Sequence, residues 1–412
     1  MTYYRLAEGK IGKVLLGLAL MVLLVLSRNS MYTFTIIPFT VAQLSMFAVI
    51  GVLGAVFLIR NCHDLKKILT DKRILAVLLV TVIYLVPILV KRDFQTMNFS
   101  ILLCVYVAIF FSFFISCKEL AGFIVSFVTF LAAYSLVACY LLAPMVEKGW
   151  FSVPIVNFQD WRVFHNFVFA FPRILENYLR NFGMFREPGV YQYFLNLALF
   201  LNNFLLTWNK AWIKWAINGI LAITVVSTFS TTGFVVMALL AVAVFVHEKL
   251  YRNKHILWAI VVMAIAAVAA LVVIILQKGT LYNSLYGMIE KLFVVTYSSA
   301  ARYDAIFENL KIFLQNPLFG EKISVALNVV DNNTSSTLLL YAVYGIVGGS
   351  LNVAGWLALA WDKERGIWLN LMLFVTLLMS FNTQNMTTDV FFWLFPMMAL
   401  VEKGLPLLKR KG

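Results

Sequence analysis

Of the 412 residues, 62% are hydrophobic and 13% are charged. Soluble domains carry about 25% charged residues, and a soluble core has no room for so much apolar surface, so lipid is the solvent for much of this chain. The net charge of +14 does not point to nucleic acid, because the basic residues stand in short groups between apolar runs, a topology signal with some attraction to anionic lipid.

The first apolar run, Val14 to Leu26, follows Arg5, Lys10 and Lys13. Ser27, Arg28 and Asn29 come next without a small-x-small cleavage pattern, so an uncleaved first span is predicted over 12–27. At about 20 apolar residues per crossing, further spans are predicted at 35–59, 73–90, 98–117, 120–142, 189–208, 212–229, 231–247, 255–276, 335–361, 367–381 and 386–401. The tight pairs around Ser230 and Asn382 also fit broken or re-entrant helices. The fold class is therefore an all-α integral membrane protein with about twelve transmembrane helices, one polytopic domain over 1–412.

Orientation follows from Lys and Arg. With the N-terminus inside, the basic segments Arg60-to-Arg73, His247-to-His255, Asp362-to-Arg365 and the tail Lys409-Arg410-Lys411 fall on the cytoplasmic side, as the positive-inside rule requires. Both termini are then cytoplasmic, and two long segments, 143–188 and 277–334, lie outside. Loops this long usually carry function. In the first, Trp161, Phe164, Phe167, Phe171 and Leu175 recur near helical spacing among Arg162, Asn166, Arg173 and Glu176. In the second, Ile306, Leu310, Phe313 and Leu314 share a face, Arg302, Glu308, Lys311 and Gln315 lie off it, and Pro317 and Gly320 end the helix. Both loops are thus expected to carry amphipathic helices resting on the outer interface or packed into its mouth.

Common enzyme signatures are missing: there is no Walker loop, GxSxG or HExxH. His165 is the one histidine on the outer side, so no multi-histidine metal site is expected there, and no metal or cofactor is assigned. The spans read as free of interior charge. Their polar groups are neutral (Gln43, Asn196, Asn202, Asn203, Asn218, Ser227, Ser230, Thr231, Thr232, Asn352 and Asn370), with interhelical hydrogen bonding as the expected role. Missing intramembrane charge also weighs against an ion-coupled transporter.

The outward arginines carry the most information. Arg186 stands in Gly183-Met184-Phe185-Arg186-Glu187-Pro188-Gly189, where the first long segment returns to the membrane. Arg302 stands in Ser298-Ser299-Ala300-Ala301-Arg302-Tyr303-Asp304, at the start of the second segment's helix. Guanidinium offers a fixed fork of donors that suits phosphate, and a helix N-terminus adds favourable potential for an anion. Glu187 before Pro188 is placed to cap or charge the next helix. Arg162, Arg173 and Arg180 read as interface anchors, with a place in a binding site as the alternative.

These residues resemble a known group. The Arg-Glu-Pro-Gly run is one landmark. Arg302 with Asn316-Pro317-Leu318-Phe319-Gly320 is a second. Asn332-Asn333-Thr334-Ser335-Ser336-Thr337, followed by Tyr344-Gly345-Ile346-Val347-Gly348-Gly349, is a third. Their order and topology resemble the Wzy-type O-antigen and capsule polymerase and O-antigen ligase superfamily, and Ser227-Thr228-Phe229-Ser230-Thr231-Thr232-Gly233 is similar to its Ser/Thr-rich segment. The resemblance implies a glycosyltransferase on the outer face of the bacterial cytoplasmic membrane. It would transfer glycan from undecaprenyl pyrophosphate to the next lipid-linked repeat unit, making O-antigen, capsule or exopolysaccharide. It also implies a chain-length regulator as a partner. Arg186, Glu187 and Arg302 are the catalytic candidates. Arg162, Arg173, Arg180, Asn332, Asn333 and Thr334 are the substrate-binding candidates. Ligases of this group carry a His eleven residues before the first Gly of the third landmark; here that position is Thr334, which favours polymerase over ligase. A glycan flippase is the alternative from another class, though no internal repeat supports it.

Overall fold

A computed structural model describes residues 9–158, 162–174, 180–279, 282–283, 285–286, 297–329, 333–382 and 384–404. The chain divides into two compact units: Met1–Phe123 with Tyr297–Ala360 and Phe381–Gly412, and Ile124–Thr296 with Trp361–Ser380. Helices occupy all of the apolar segments read from the sequence. Among the described residues, four helices are long and apolar enough to cross a membrane: Thr40–Arg60, Lys72–Lys91, Cys117–Glu147 and Ser336–Ala360. The apolar helices Gly12–Val25, Thr96–Phe111, Ala211–Ser227, Thr231–His247 and Ile367–Phe381 are shorter. The protein is membrane-embedded and predominantly helical.

The first unit contains α1 (Gly9–Val25), α2 (Phe39–Arg60), a short α3 (Leu65–Leu69), α4 (Lys72–Lys91) and α5 (Thr96–Phe111). The segment Cys117–Val137 forms α6, and a π-turn over Ala138–Leu142 carries it into α7 (Ala143–Glu147). Much further along lie the helices that complete the first unit. They are α12 (Tyr297–Gln315), α13 (Ile323–Asn328), α14 (Ser336–Ala360) and α16 (Val390–Gly404), whereas α15 (Ile367–Phe381), between α14 and α16 in the chain, belongs up to Ser380 to the second unit. Helices α8 (Pro188–Phe204), α9 (Ala211–Ser227), α10 (Thr231–His247) and α11 (Lys254–Gln277) belong to the second unit.

Helix α16 is the centre of the first unit and packs against α14 and α5. A Cβ on Gly355 would sit 2.8 Å from Pro396, so glycine is what lets α14 and α16 approach. Tyr84 meets Tyr344 and Trp393 edge-on at 4.8 and 5.9 Å, an arrangement favoured by the ring quadrupoles. At the other end of α4, Asp71 caps the helix and pairs with Arg73 at 2.6 Å. Arg73 is buried, donates to Ser112 O at 2.6 Å and lies over Phe113. A residue read from sequence as a topology charge is thus also a strut between α4 and the end of α5.

In the second unit α8 is buried on nearly every side. Several of its polar groups bond neighbouring helices: Asn218 bonds Asn202 and Asn203 at 2.8 Å each, and Asn196 Nδ2 donates to Gly233 O at 3.3 Å as well as to Gln192 of α8 itself at 2.9 Å. In the first unit Gln43 bonds Ser100 at 3.2 Å. Interhelical hydrogen bonding is therefore the role of Gln43, Asn196, Asn202, Asn203 and Asn218, whereas Asn370 bonds the loop carbonyls Asp362 O and Arg365 O, and Asn352 is buried with neither side-chain atom bonded among the described residues.

The structure corrects two sequence expectations and adds to a third, the α12 helix. The first long segment carries no helix over its described residues beyond α7. Instead, Ile155–Phe158 (β1) pairs antiparallel with Arg162–His165 (β2), Val156 opposite Phe164. The β-branched and aromatic residues of Ile155-Val156 and Val163-Phe164 favour a pleated surface, and Phe158 and Phe164 are buried by it; Trp161, Leu175 and Glu176 lie outside the described residues. Second, α12 packs through Arg302, Ala305, Asn309 and Ile312, while Ile306, Leu310 and Leu314 are exposed. Lipid is as apolar as leucine, so an apolar face has no need of protein cover; of the polar residues, Lys311 and Gln315 stay exposed, and the buried face is made by Ala305, Asn309 and Ile312 with Arg302 half-buried. Third, span 386–401 is not free of charge: Asp389 is 1% exposed, accepting from Phe391 N at 3.0 Å and Asn29 at 3.5 Å. Satisfied at a helix start, a carboxylate survives such burial.

Candidate functional site

In the first unit the second and third landmarks interlock. Helix α14 breaks at Gly345, which has φ 67°. Into the break comes the stretch Asn316–Gly320: Ile346 N donates to Pro317 O at 2.7 Å, and Glu321 N donates to Ala342 O at 2.7 Å. Gly320, also at φ 67°, faces Val343, and Gly345 faces Leu318 so closely that a Cβ on either would run into backbone. Lys91 donates to Glu321 O at 2.9 Å and to Val343 O, tying α4 to both strands of this junction. Asp93, buried beside it, accepts from Ile323 N at 2.7 Å and from Asn98 at 2.9 Å, and Asn98 accepts from Tyr344 Oη at 2.7 Å. Every partner is a charge or dipole that burial would otherwise penalise, so the network holds one register.

Arg302 lies half-buried on α12, seven residues and thus two turns before Asn309 on the same face. Asn309 and Asn333, both buried, form a reciprocal amide pair at 2.9 Å in each direction. The third landmark is thereby bound to the helix that carries Arg302. Its other residues are anchored to the connector before α16: Ser336 Oγ donates to Gln384 O at 2.6 Å and receives Met386 N at 2.9 Å, and Thr337 N donates to Asn382 Oδ1 at 2.8 Å. Thr334 Oγ1 and Thr337 Oγ1 are buried with no hydrogen-bond partner among the described residues. Asp304 is exposed, and Asn332 and Asp331 lie outside the described residues.

In the second unit Arg186 and Glu187 are half-buried at the start of α8. Phe185 stacks on Phe194 at 4.6 Å, and the Gly183 backbone, at φ 55°, faces the Tyr191 ring so closely that a Cβ would lie 2.7 Å from it. Asn181 locks the approach, bonding Ser135 at 2.9 Å and Ser227 at 3.1 Å and receiving Gly183 N at 2.8 Å. Glu187 occupies the cap position, with Pro188 as the first helical residue, but its side chain makes no capping bond. A capping role for the carboxylate is therefore set aside.

The accessory arginines separate. Arg180 donates to Thr228 O and Phe229 O, at 3.2 Å each, and so staples the first outer segment to the Ser/Thr-rich turn between α9 and α10. Arg173, half-buried, bridges to Phe164 of the hairpin through its backbone. Arg162 belongs to β2. His165, read only as a lone histidine, is buried in this segment and burial pushes its pKa down, with Glu147 opposing. Asn181 and the Asn309–Asn333 pair escaped the sequence reading, since only pairing across long separations makes them notable. In the first unit the landmark residues Arg302, Asn333 and Thr334 offer guanidinium, amide and hydroxyl, group types suited to phosphate or sugar. No family model matches the chain, and neither a curated protein nor a solved structure matches it.

Proposed function

We propose that the protein polymerises lipid-linked oligosaccharide repeat units on the outer face of the bacterial cytoplasmic membrane, as a protein of about twelve crossings with both termini inside. The observation that carries this reading is the interlock of the Asn316–Gly320 stretch with the break at Gly345, beside the amide pair that ties the third landmark to the Arg302 helix. The second and third landmarks are thus built into one framework within the first unit. The order Arg186, Arg302, Asn333 fits the Wzy-type polymerases in this reading.

In the reaction, an acceptor hydroxyl on one repeat unit attacks the anomeric carbon of the glycan carried by another. The bond from that carbon to pyrophosphate breaks, and undecaprenyl pyrophosphate leaves with the electron pair. Arg302 and Arg186 each supply a guanidinium toward pyrophosphate or sugar hydroxyls, where donors aimed at developing charge are most effective. The hydroxyl proton goes to a base, and Glu187 is the best-placed carboxylate on the landmark. A chain-length regulator is the expected partner by family analogy.

The test is product length. Deleting the protein from its host should leave surface glycan as single repeat units, with full-length polymer restored by the wild-type gene. Complete loss of attached glycan, single units included, would instead identify a ligase or a flippase.

A further inference from the structure

A carboxylate in the short turn between α4 and α5 reaches a helix 230 residues further along the chain. Asp93 is buried, and one of its oxygens, Oδ2, accepts from both Ile323 N at 2.7 Å and Asn98 Nδ2 at 2.9 Å. Ile323 is the first residue of α13, and Lys322 before it offers the helix no side-chain cap. Asp93 therefore supplies from outside what the local sequence lacks, an anionic acceptor where the unpaired N–H groups of a helix gather. The last turn of α13 is held as well: Ala326 O accepts from Asn333 Nδ2 at 3.1 Å, and Asn333 pairs with Asn309 of α12. Isolated helices shorter than about 12 residues are marginal, so the contacts at its two ends set where the six-residue α13 stands. Lys91 fixes the approach to α13 from a second side, through Glu321 O and Val343 O. One line of contacts thus runs from Asp93 through α13 and Asn333 to Asn309, two turns along α12 from Arg302, and all of it lies within the first unit.

We infer that Asp93 is a positioning residue for the Arg302 guanidinium, acting through α13 and the Asn309–Asn333 pair. The inference rests on the polymerase reading, in which Arg302 meets the leaving pyrophosphate. Asp93 is buried and touches no substrate. Its part is to seat α13, against which the amide pair holds α12 in one rotation, so that the guanidinium fork stays aimed. A displacement of about 1 Å set far from the chemistry costs about 10²-fold in rate, so a contact this remote has a measurable effect on turnover.

Two measurements on the purified full-length protein test it. Amide hydrogen exchange needs no substrate. In Asp93→Ala the amides of Ile323–Asn328 should exchange about tenfold faster or more, as loss of a charge-assisted hydrogen bond predicts. Asp93→Asn keeps an oxygen for both donors and should stay close to wild type. The rate of bond formation is then read in liposomes with an undecaprenyl-pyrophosphate-linked repeat unit, per folded protein. Asp93→Ala should slow it about 10²-fold, and Asp93→Asn should recover most of the loss. The double variant Asp93→Ala with Arg302→Lys should be no slower than Arg302→Lys alone, because residues that act as one unit do not add. Asn309→Ala cuts the same line at its far end and should give a similar loss, which keeps the test open where Asp93→Ala fails to fold. Unchanged exchange in Asp93→Ala, a wild-type rate in folded Asp93→Ala or Asn309→Ala, an Asp93→Asn no faster than Asp93→Ala, or losses that multiply with Arg302→Lys would each overturn the inference while the wild type still extends its substrate. Wild-type protein that extends nothing would remove the polymerase reading itself, and the positioning role with it.

Discussion

Replacing Arg302 with lysine is expected to abolish full-length polymer while the protein still accumulates in the membrane at wild-type level. Lysine keeps the charge, so attraction of the anionic lipid to the surface survives. It loses the planar fork that grips two oxygens together. Arg302 stands on the packed face of α12, in line with Ala305 and the amide pair of Asn309, so its head is positioned by a helix that cannot roll without breaking that pair. Losing one donor aimed at a leaving group costs about 10²–10³ in rate, enough to turn a long chain-length distribution into single units. Arg186→Lys is expected to act in the same way from the start of α8. Arg180→Lys should behave differently: that side chain holds Thr228 O and Phe229 O, so its loss should lower stability more than it changes product length. Gel profiles of extracted glycan, normalised to protein level, make the comparison. Full-length polymer from both Arg302→Lys and Arg186→Lys would remove the arginines from the mechanism.

The second large effect is expected at Gly345. An alanine there must adopt a left-handed backbone and place its Cβ against the carbonyl of Leu318, with Pro317 O only 2.8 Å away. At φ 67° and ψ −167° a side chain costs about 1–3 kcal/mol in backbone strain, and forcing atoms into packed backbone adds about 1–3 kcal/mol. Nothing on the far side can give way, because Ile346 N and Glu321 N are hydrogen-bonded across the same junction. Gly345→Ala should therefore lower the thermal midpoint of the detergent-solubilised protein sharply and strip polymerisation with it. Gly219→Ala is the control. It lies within α9 with nothing within 4 Å of its Cβ position, so stability should hold or rise by up to about 1 kcal/mol. Equal midpoints for Gly345→Ala and the wild type would mean the junction is not built as described.

Sequence patterns carried much of this fold, and the reasons for their failures are physical. Apolar runs placed the helices well, because a lipid-facing helix is defined by length and hydropathy alone. Pro317 and Gly320 marked the end of α12, since neither continues a helix comfortably. Periodicity grouped Ile306, Leu310 and Leu314 on one side of α12 but left open whether that side is covered, because only the surrounding medium decides it, and it is exposed. Over 155–165 the 3.6-residue spacing of aromatics competed with β-branched neighbours, and pairing of Ile155–Phe158 with Arg162–His165, which helical spacing alone does not weigh, decided the matter. Asp389 went unread because a carboxylate near a helix start looks like a surface cap until Asn29, 360 residues away in sequence, is seen to face it. For the site, Arg302, Asn333 and Thr334 were legible as residue types in a pattern. Asn309 and the seat of Pro317 against Gly345 were not, because each gains meaning only from a distant partner.

The central claim is glycosyl transfer between two lipid-linked units. The purified full-length protein, reconstituted in liposomes with one undecaprenyl-pyrophosphate-linked repeat unit as the sole substrate, tests it most directly. The account predicts a ladder of lipid-linked products lengthening by one unit at a time, with one undecaprenyl pyrophosphate released for every bond made. Folded protein that leaves the repeat unit unextended, or that moves it across the bilayer without lengthening it, would contradict the account.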